Sequence, residues 1–282
     1  MPSDEGLIGV ALDLLLPARC LGCAHWLGGA GGGGRAFCAR CWRALPRVAD
    51  DACVCCQQRS SAPPGSRCAG CAGTRQPLRY CVAPLRYEGE VESWVARLKH
   101  PPKGLRGLDP APLAFARAVA AAVVARAPGP APRWLVPIPL HPVRLRERGF
   151  SAPLVVAREL ARASGARLST RLLVRTRNTP SQVGLGRRAR RGNVRGAFAL
   201  YAPRLRWLAL AGARPRAADP IWLVDDVVTT GATVLECARV LRRAGFRNVA
   251  AVALARTPAG RATTDSGDHA QAHAESRTPG PR

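Results

Sequence analysis

Residues 221–233 read Ile-Trp-Leu-Val-Asp-Asp-Val-Val-Thr-Thr-Gly-Ala-Thr, and the order of residue types there decides the fold class. Ile221 to Val224 is a short apolar run, mostly β-branched and aromatic, which predicts a covered strand. Two adjacent carboxylates, Asp225 and Asp226, follow it. A small polar turn comes next: Thr229, Thr230, Gly231, Ala232 and Thr233. Val234, Cys237, Ala238 and Leu241 then recur at helical spacing. Arg242 and Arg243 suit the last turn of that helix, and Gly245 suits its end. The predicted order is strand, acid pair, hydroxyl and glycine turn, helix.

That order has a chemical meaning. A helix N-terminus presents unpaired N–H groups and a partial positive charge, so a phosphate is favoured there. Gly231 lets the backbone approach an anion, and threonine hydroxyls add hydrogen bonds. Carboxylates at the end of the strand can accept hydrogen bonds from vicinal sugar hydroxyls. One reading is therefore a ribose-phosphate site. The other is an ordinary strand-to-helix turn in which Asp and Thr residues cap the helix.

Working outward, the chain has 282 residues, enough for one core and a small extra module. No apolar run reaches the length needed to cross a bilayer. Leu7 to Leu16 is interrupted by Asp13 and preceded by Asp4 and Glu5, so it lacks the pattern of a signal peptide, and the expected location is cytoplasmic with no membrane insertion. The net charge is +25, and the 32 basic and 10 acidic side chains between residues 76 and 257 contribute most of it. A basic body of this kind attracts polyanions such as nucleic acid or phosphorylated small molecules. Its bland counterpart is an arginine-rich composition with no ligand behind it.

Eight of the eleven cysteines form four C-x-x-C pairs: Cys20/Cys23, Cys38/Cys41, Cys53/Cys56 and Cys68/Cys71. Each pair can offer two thiolates to one metal, and two pairs complete a tetrahedral zinc site. The intervening loops are too short and polar to form a core, so structural zinc would supply the folding energy, one or two ions in all. A disulfide framework fits poorly in a reducing compartment. Pairing in sequence order is the simplest scheme; an interleaved scheme stays open, as does a substitute role for Cys55. Cys81 and Cys237 read as buried thiols.

From Leu78 the pattern changes. Leu78 to Tyr87 predicts a strand, Val91 to Lys99 a helix, Leu113 to Arg126 a longer helix and Trp134 to Pro139 a strand ending in a turn. Leu154 to Ala163 predicts a helix, Leu168 to Thr176 and Gly196 to Tyr201 strands, and Val249 to Leu254 the last strand. Ala202 to Pro220 reads as an inserted loop. Such alternation predicts an α/β domain: a parallel sheet flanked by helices, with ligands at the C-terminal ends of the strands, preceded by a small zinc-ribbon module. The expected domains are a double zinc ribbon over 1–76, the α/β domain over 77–257 and a disordered tail over 258–282.

IWLVDDVVTTGAT resembles the phosphoribosyl-pyrophosphate (PRPP) signature of type I phosphoribosyltransferases. Four further blocks narrow the resemblance to the ComF/GntX-like competence-protein family: ALDLLLPARCLGC, RLKHPPKG, WLVPIPLHPVRLRERGFSAPLVVARELA and NTPSQVGLGRRARRGNV. The resemblance spans Leu12 to about Thr257. It implies PRPP as ligand, with magnesium bridging pyrophosphate and ribose oxygens, and displacement of pyrophosphate from the anomeric carbon by a nitrogenous acceptor.

By the same resemblance, Asp225 and Asp226 are the candidate catalytic pair, with sugar binding as their safer role. Thr229, Thr230, Gly231, Ala232 and Thr233 would bind phosphate. Pro139, Leu140, His141, Arg144 and Arg148 would cradle pyrophosphate, and Lys99 and Lys103 would face phosphates. Thr179, Gln182, Arg187, Arg190 and Arg191 lie in a segment that would close as a hood. For any single arginine or lysine in these sets, a solvated position is the simpler alternative. The chain departs from the family where Ser151 and Ala152 stand in place of Asn-Gln, and where His100 replaces an aromatic. The family also implies a link to uptake of single-stranded DNA beside a competence helicase. The competing reading is an accessory protein that binds nucleic acid or a partner and keeps the PRPP pocket as a regulatory or vestigial site.

Overall fold

The computed structural model describes residues 19–27, 36–99, 110–179, 187–201 and 215–258, and ten short strands and eight helices lie among these described residues. The candidates His100, Lys103 and Gln182, the side chains of Arg187, Arg190 and Arg191, most of the expected 202–220 insertion and all but the first residue of the expected tail lie outside the described residues.

Five strands make a parallel sheet: β1 (Cys81–Val82), β3 (Trp134–Pro137), β4 (Arg167–Leu168), β7 (Pro220–Val224) and β9 (Asn248–Val252), in the spatial order β1-β9-β7-β3-β4. The central strand β7 is buried from Ile221 to Val224, which is why it is apolar throughout rather than alternating. Its side chains divide between two cores. Trp222 and Val224 point to one, with Val82, Leu135, Ala250 and Val252. Ile221 and Leu223 point to the other, with Trp134, Val136, Val249 and Ala251.

The first face is covered by α3 (Glu90–Lys99), α4 (Ala111–Arg126) and α6 (Ala152–Ser164), through Val91, Val95, Phe115, Val119, Val156 and Leu160. Glu159 is buried between α4 and α6, where it accepts from Arg117 Nε at 2.9 Å and contacts Arg162 Nη1, so the charge is paired rather than stranded. The second face is covered by α8 (Ala232–Arg243) and by an antiparallel hairpin of β5 (Leu173–Arg175) and β6 (Phe198–Leu200), with α7 (Arg187–Val194) leading into β6. These layers are the expected α/β architecture.

Some predicted strands divide. Leu78 to Tyr87 is not one strand: β1 stops, Ala83 and Pro84 intervene, and β2 (Leu85–Arg86) resumes. Pro84 has no N–H to give to a ladder. β9 likewise breaks before β10 (Ala255–Arg256), and β7 breaks at the two acids before β8 (Val227–Val228). The resumed strands form a second parallel sheet, β2-β10-β8, which repeats the order β1-β9-β7. Leu168 to Thr176 also divides, giving β4 to the main sheet and β5 to the hairpin. The polar 178–194 segment, expected to close as a hood, contains the helix α7.

The cysteine module closes the β1/β2 edge. Cys81 N donates to Val54 O at 2.8 Å, Val48 N to Pro84 O at 3.0 Å and Arg86 N to Pro46 O at 2.9 Å. Gln57 Oε1 accepts from Ala83 N in the strand break at 3.3 Å. With its amide oxygen turned inward, Gln58 accepts from buried Arg256 at 2.7 and 2.9 Å. Phe37 of the module meets Phe115 of α4 edge-on, ring centroids 6.3 Å apart. An unpaired strand edge is thereby covered. Among the described residues, no helix is long and apolar enough to cross a membrane.

Candidate functional site

β3 and β7 lie side by side, and the chain runs outward from them in opposite directions, β3 to β4 and β7 to β9. At such a reversal the loops leaving the two strands separate and open a crevice at their C-terminal ends. Asp225 and Asp226 leave β7 there; Pro139, Leu140 and His141 leave β3. Ile138 N donates to Val224 O at 2.9 Å, which holds the two exits together.

The acid pair occupies the strand break. Asp225 Oδ1 accepts from Asp226 N at 3.0 Å, and Asp226 Oδ1 accepts from Val227 N at 2.7 Å. Each carboxylate therefore keeps one oxygen free of these local backbone bonds. Asp226 is 8 % exposed, and Lys99 Nζ at the end of α3 lies 3.8 Å from its Oδ1. The same ammonium sits over the Tyr87 ring, 5.7 Å from its centroid. Asp225 is closely surrounded by protein. Burial, then the negative charge of Asp226, push its carboxyl up to about 7, against the opposing pull of the Asp226 N–H and of Lys99.

β8 separates the acids from the turn, which the sequence pattern did not suggest. Thr229 and Thr230 follow, then Gly231 at φ 75°, which caps α8. Glycine is needed there for its backbone conformation. A Cβ at that position would meet no described atom closer than 3.9 Å, so the turn stands open. Thr230 Oγ1 accepts from Ala232 N at 3.3 Å, so the capping reading holds for this one hydroxyl. Ala232 and Thr233 belong to the helix itself.

The β3 loop opens α5 (Pro142–Arg148). His141 caps this helix, its Nδ1 accepting from Val143 N at 3.4 Å, so that imidazole edge is used locally. Arg144 pairs with Glu147 on the same helix at 3.2 Å, and Arg148 is exposed. Of the hood candidates with described side chains, Thr179 is buried and accepts from Arg175 Nη2 rather than facing solvent.

Arg175 is the residue the sequence reading passed over. It lies half-buried on β5 over the Phe198 ring, and its buried Nε has no partner among the described residues. Burial lowers its pKa, and it feels the charges of Asp225, Arg144 and Arg148. An arginine read as one polar residue of a strand thus belongs electrostatically to the same crevice. Its place on β5, which pairs away from the main sheet, gave no sequence signal.

The cysteines form two separate centres. The Sγ atoms of Cys20, Cys23, Cys38 and Cys41 lie within 4.8 Å of one another, as do those of Cys53, Cys56, Cys68 and Cys71. Cys23 and Cys38 are 3.9 Å apart at sulfur, and Cys56 and Cys68 are 3.8 Å apart. A tetrahedral zinc with bonds of about 2.3 Å requires sulfurs roughly 3.8 Å apart, so the sets fit the ion. Pairing follows sequence order, and Cys55 is buried outside the second set. The centres repeat one design. Each first pair precedes a residue at φ 57°, Ala24 or Gln57, and the bridge Arg19–Trp26 matches Ala52–Arg59. Cys38 and Cys68 each open a short helix, α1 (Ala39–Ala44) and α2 (Ala69–Ala72). Cys53 Sγ accepts backbone N–H bonds from Cys55, Cys56 and Cys68 at 3.2–3.5 Å. Burial opposes ionisation of Cys53, but these donors outweigh it and bring the thiol down to about 6; Cys20 is brought to about 6 in the same way. All four ligand positions of each centre are filled by thiols, which suits structural rather than catalytic zinc.

Residues 11–72 match the family model described as a double zinc ribbon domain. Over 128 residues the chain is 34% identical to the DNA utilization protein YhgH of Salmonella typhi, covering 45% of this chain and 51% of that one. Over 125 residues it is 30% identical to competence protein F of Haemophilus influenzae, covering 44% and 51%. The chain thus spans about half the length of the curated relatives it matches. A crystal structure of TT1426 from Thermus thermophilus aligns with 52% of this chain and 84% of that chain, at 22% identity and a TM-score of 0.29. The chain carries a double zinc ribbon and over part of its length is similar to competence protein F and the DNA utilization protein YhgH.

Proposed function

We propose that the crevice between β3 and β7 binds PRPP and that the chain transfers its phosphoribosyl group to a nitrogenous acceptor. The observation that supports this is the order of groups around the crevice: two carboxylates, each with one oxygen outside the local backbone bonds, then an open glycine turn at the N-terminus of a twelve-residue helix. The carboxylates suit the two ribose hydroxyls. The turn and the α8 N-terminus suit the sugar phosphate. Lys99 beside Asp226, and Arg175, which feels the charges of Asp225, Arg144 and Arg148, would offset pyrophosphate charge, and a planar guanidinium can bond two phosphate oxygens at once.

Among the described residues, the only groups of three or more metal donors are the two cysteine sets. Magnesium would therefore arrive with pyrophosphate and sugar oxygens rather than in a protein cage, and when bound it would supply charge neutralisation on the leaving group. The protein's own share is positioning and compensation of charge. Asp225, whose carboxyl burial and the neighbouring Asp226 push up to about 7, would hold the sugar and take a proton late in the reaction.

The names of the relatives, competence protein F and DNA utilization protein, support a role in DNA uptake. The second reading, an accessory protein in which PRPP is a regulatory ligand, is favoured by the basic body, +25 overall. Release of pyrophosphate from PRPP, measured across a panel of nitrogenous bases, separates the two. Transfer predicts release that depends on one base and is lost in Asp225→Ala/Asp226→Ala. Binding without release for any base would leave the regulatory reading.

A further inference from the structure

Four arginines from three parts of the chain converge on a cleft far from the crevice. The cleft, about 340 Å³, lies between the second ribbon and the N-terminal end of the main sheet, and Arg67, Arg79, Arg242 and Arg247 line it with Gln76. Arg67 immediately precedes the zinc ligand Cys68. Arg79 enters β1, where its backbone N–H bonds Val249 O at 2.8 Å. Arg242 lies in the last turn of α8, and Arg247 directly precedes β9. The acid pair lies beyond the opposite, C-terminal end of β7, the neighbour of β9. With about 3.3 Å per residue over five-residue strands, the two places are separated by roughly a strand length, about 16 Å.

Two of the guanidinium groups are held in place. Arg242 Nη1 donates to Arg247 O at 2.7 Å, and Arg79 Nη1 donates to Asn248 Oδ1 at 3.2 Å. Both partners are neutral, so the charge is oriented without being cancelled. Among the described residues, none of the four arginines takes part in an ion pair, and no carboxylate lines the cleft. Elsewhere the fold does pair its arginines, at Glu159, Glu236 and Asp219. The zinc-loaded second centre, four thiolates on one Zn²⁺, is net negative and lies on the Arg67 side, but four like charges gathered in one cleft still repel one another and favour an external anion.

We propose that this cleft is a phosphate-binding track for the backbone of a nucleic-acid strand, separate from the ribose-phosphate crevice. Arginine forks match phosphate oxygens in pairs. No aromatic ring lines the cleft, so bases find no stacking platform, and the contact is independent of sequence. One wall is the ribbon itself. The track therefore needs the second zinc centre in place, which gives that centre a role beyond folding its own loop.

The test is fluorescence anisotropy of a labelled oligothymidylate with the zinc-loaded full chain and its Arg242→Ser/Arg247→Ser variant, both exposed positions. Loss of two phosphate contacts predicts affinity about tenfold weaker, with the slope of log affinity against log salt shallower by about 1.4. Unchanged affinity and slope in a folded variant of normal zinc content would overturn the proposal. Inorganic pyrophosphate supplies the second arm. Displacement only at millimolar concentration agrees with a strand track, whereas tight, saturable displacement that the variant loses would assign the cleft to a small phosphate compound instead. PRPP binding by the same variant stays at the wild-type level, so failure here is distinguishable from failure of the crevice.

Discussion

Asp225 carries the most telling single charge in the molecule. Its ordinary pKa is 3.8, and burial beside Asp226 raises it to about 7 in the folded chain. Between those values the native state keeps a proton that the unfolded chain has lost, so this group makes stability fall as pH rises from about 4 through 7. Asp225→Asn keeps an oxygen to accept from Asp226 N and removes the charge. The expected outcome is a melting temperature above wild type at pH 8 and equal to it at pH 4, read by thermal unfolding at both pH values; no difference at pH 8 would contradict it. The residues of this site were legible because their types are specific. Adjacent acids after an apolar run, followed by Thr-Thr-Gly, leave few chemical options. Arg175 was not legible, because only the hairpin carries it to the crevice, and hairpin pairing is long-range information. Lys99 was named by the family resemblance, but its contact with Asp226 was not legible, because it joins residues far apart in sequence.

At the scale of elements, helices were easier to read than strands. The α8 pattern gave its length and its end, since Gly245 at φ 92° lies where the helix must stop. The strand breaks were hidden, because apolar runs such as Leu78 to Tyr87 do not show where a ladder shifts from one sheet to the next. The cysteine pairs were legible in full, since C-x-x-C spacing fixes each half-site locally. What sequence could not show is that the module also covers the β1/β2 edge. That contact predicts the effect of metal loss. Cys53 is 1 % exposed and anchors three N–H donors, whereas Cys23 is exposed. Cys53→Ser should bind one zinc instead of two and aggregate on mild heating as the edge is uncovered; Cys23→Ser should be less prone to aggregate. Metal content by atomic absorption beside light scattering checks both, and equal scattering from the two variants would speak against the edge role.

The whole molecule places two anion-seeking regions at opposite ends of one sheet. The C-terminal end of β7 combines acids with a phosphate turn; the N-terminal end of β9 gathers arginines without acids. Composition alone showed the charge of +25 but not this division, since the cleft is assembled from the ribbon, β1 and α8. The fold class and the module order were readable from alternation and spacing. The pairing of β5 with β6, outside the main sheet, was not.

The claim at the centre of this account is that the crevice at the end of β7 holds a ribose carrying phosphate. Calorimetric titration of the zinc-loaded chain with PRPP and magnesium tests it most directly, beside the Asp225→Ala/Asp226→Ala variant. The expected result is saturable binding, one ligand per chain, that the variant loses while keeping its zinc and its melting transition. A folded, zinc-loaded wild type that takes up no PRPP, or a variant that binds it equally well, would contradict it.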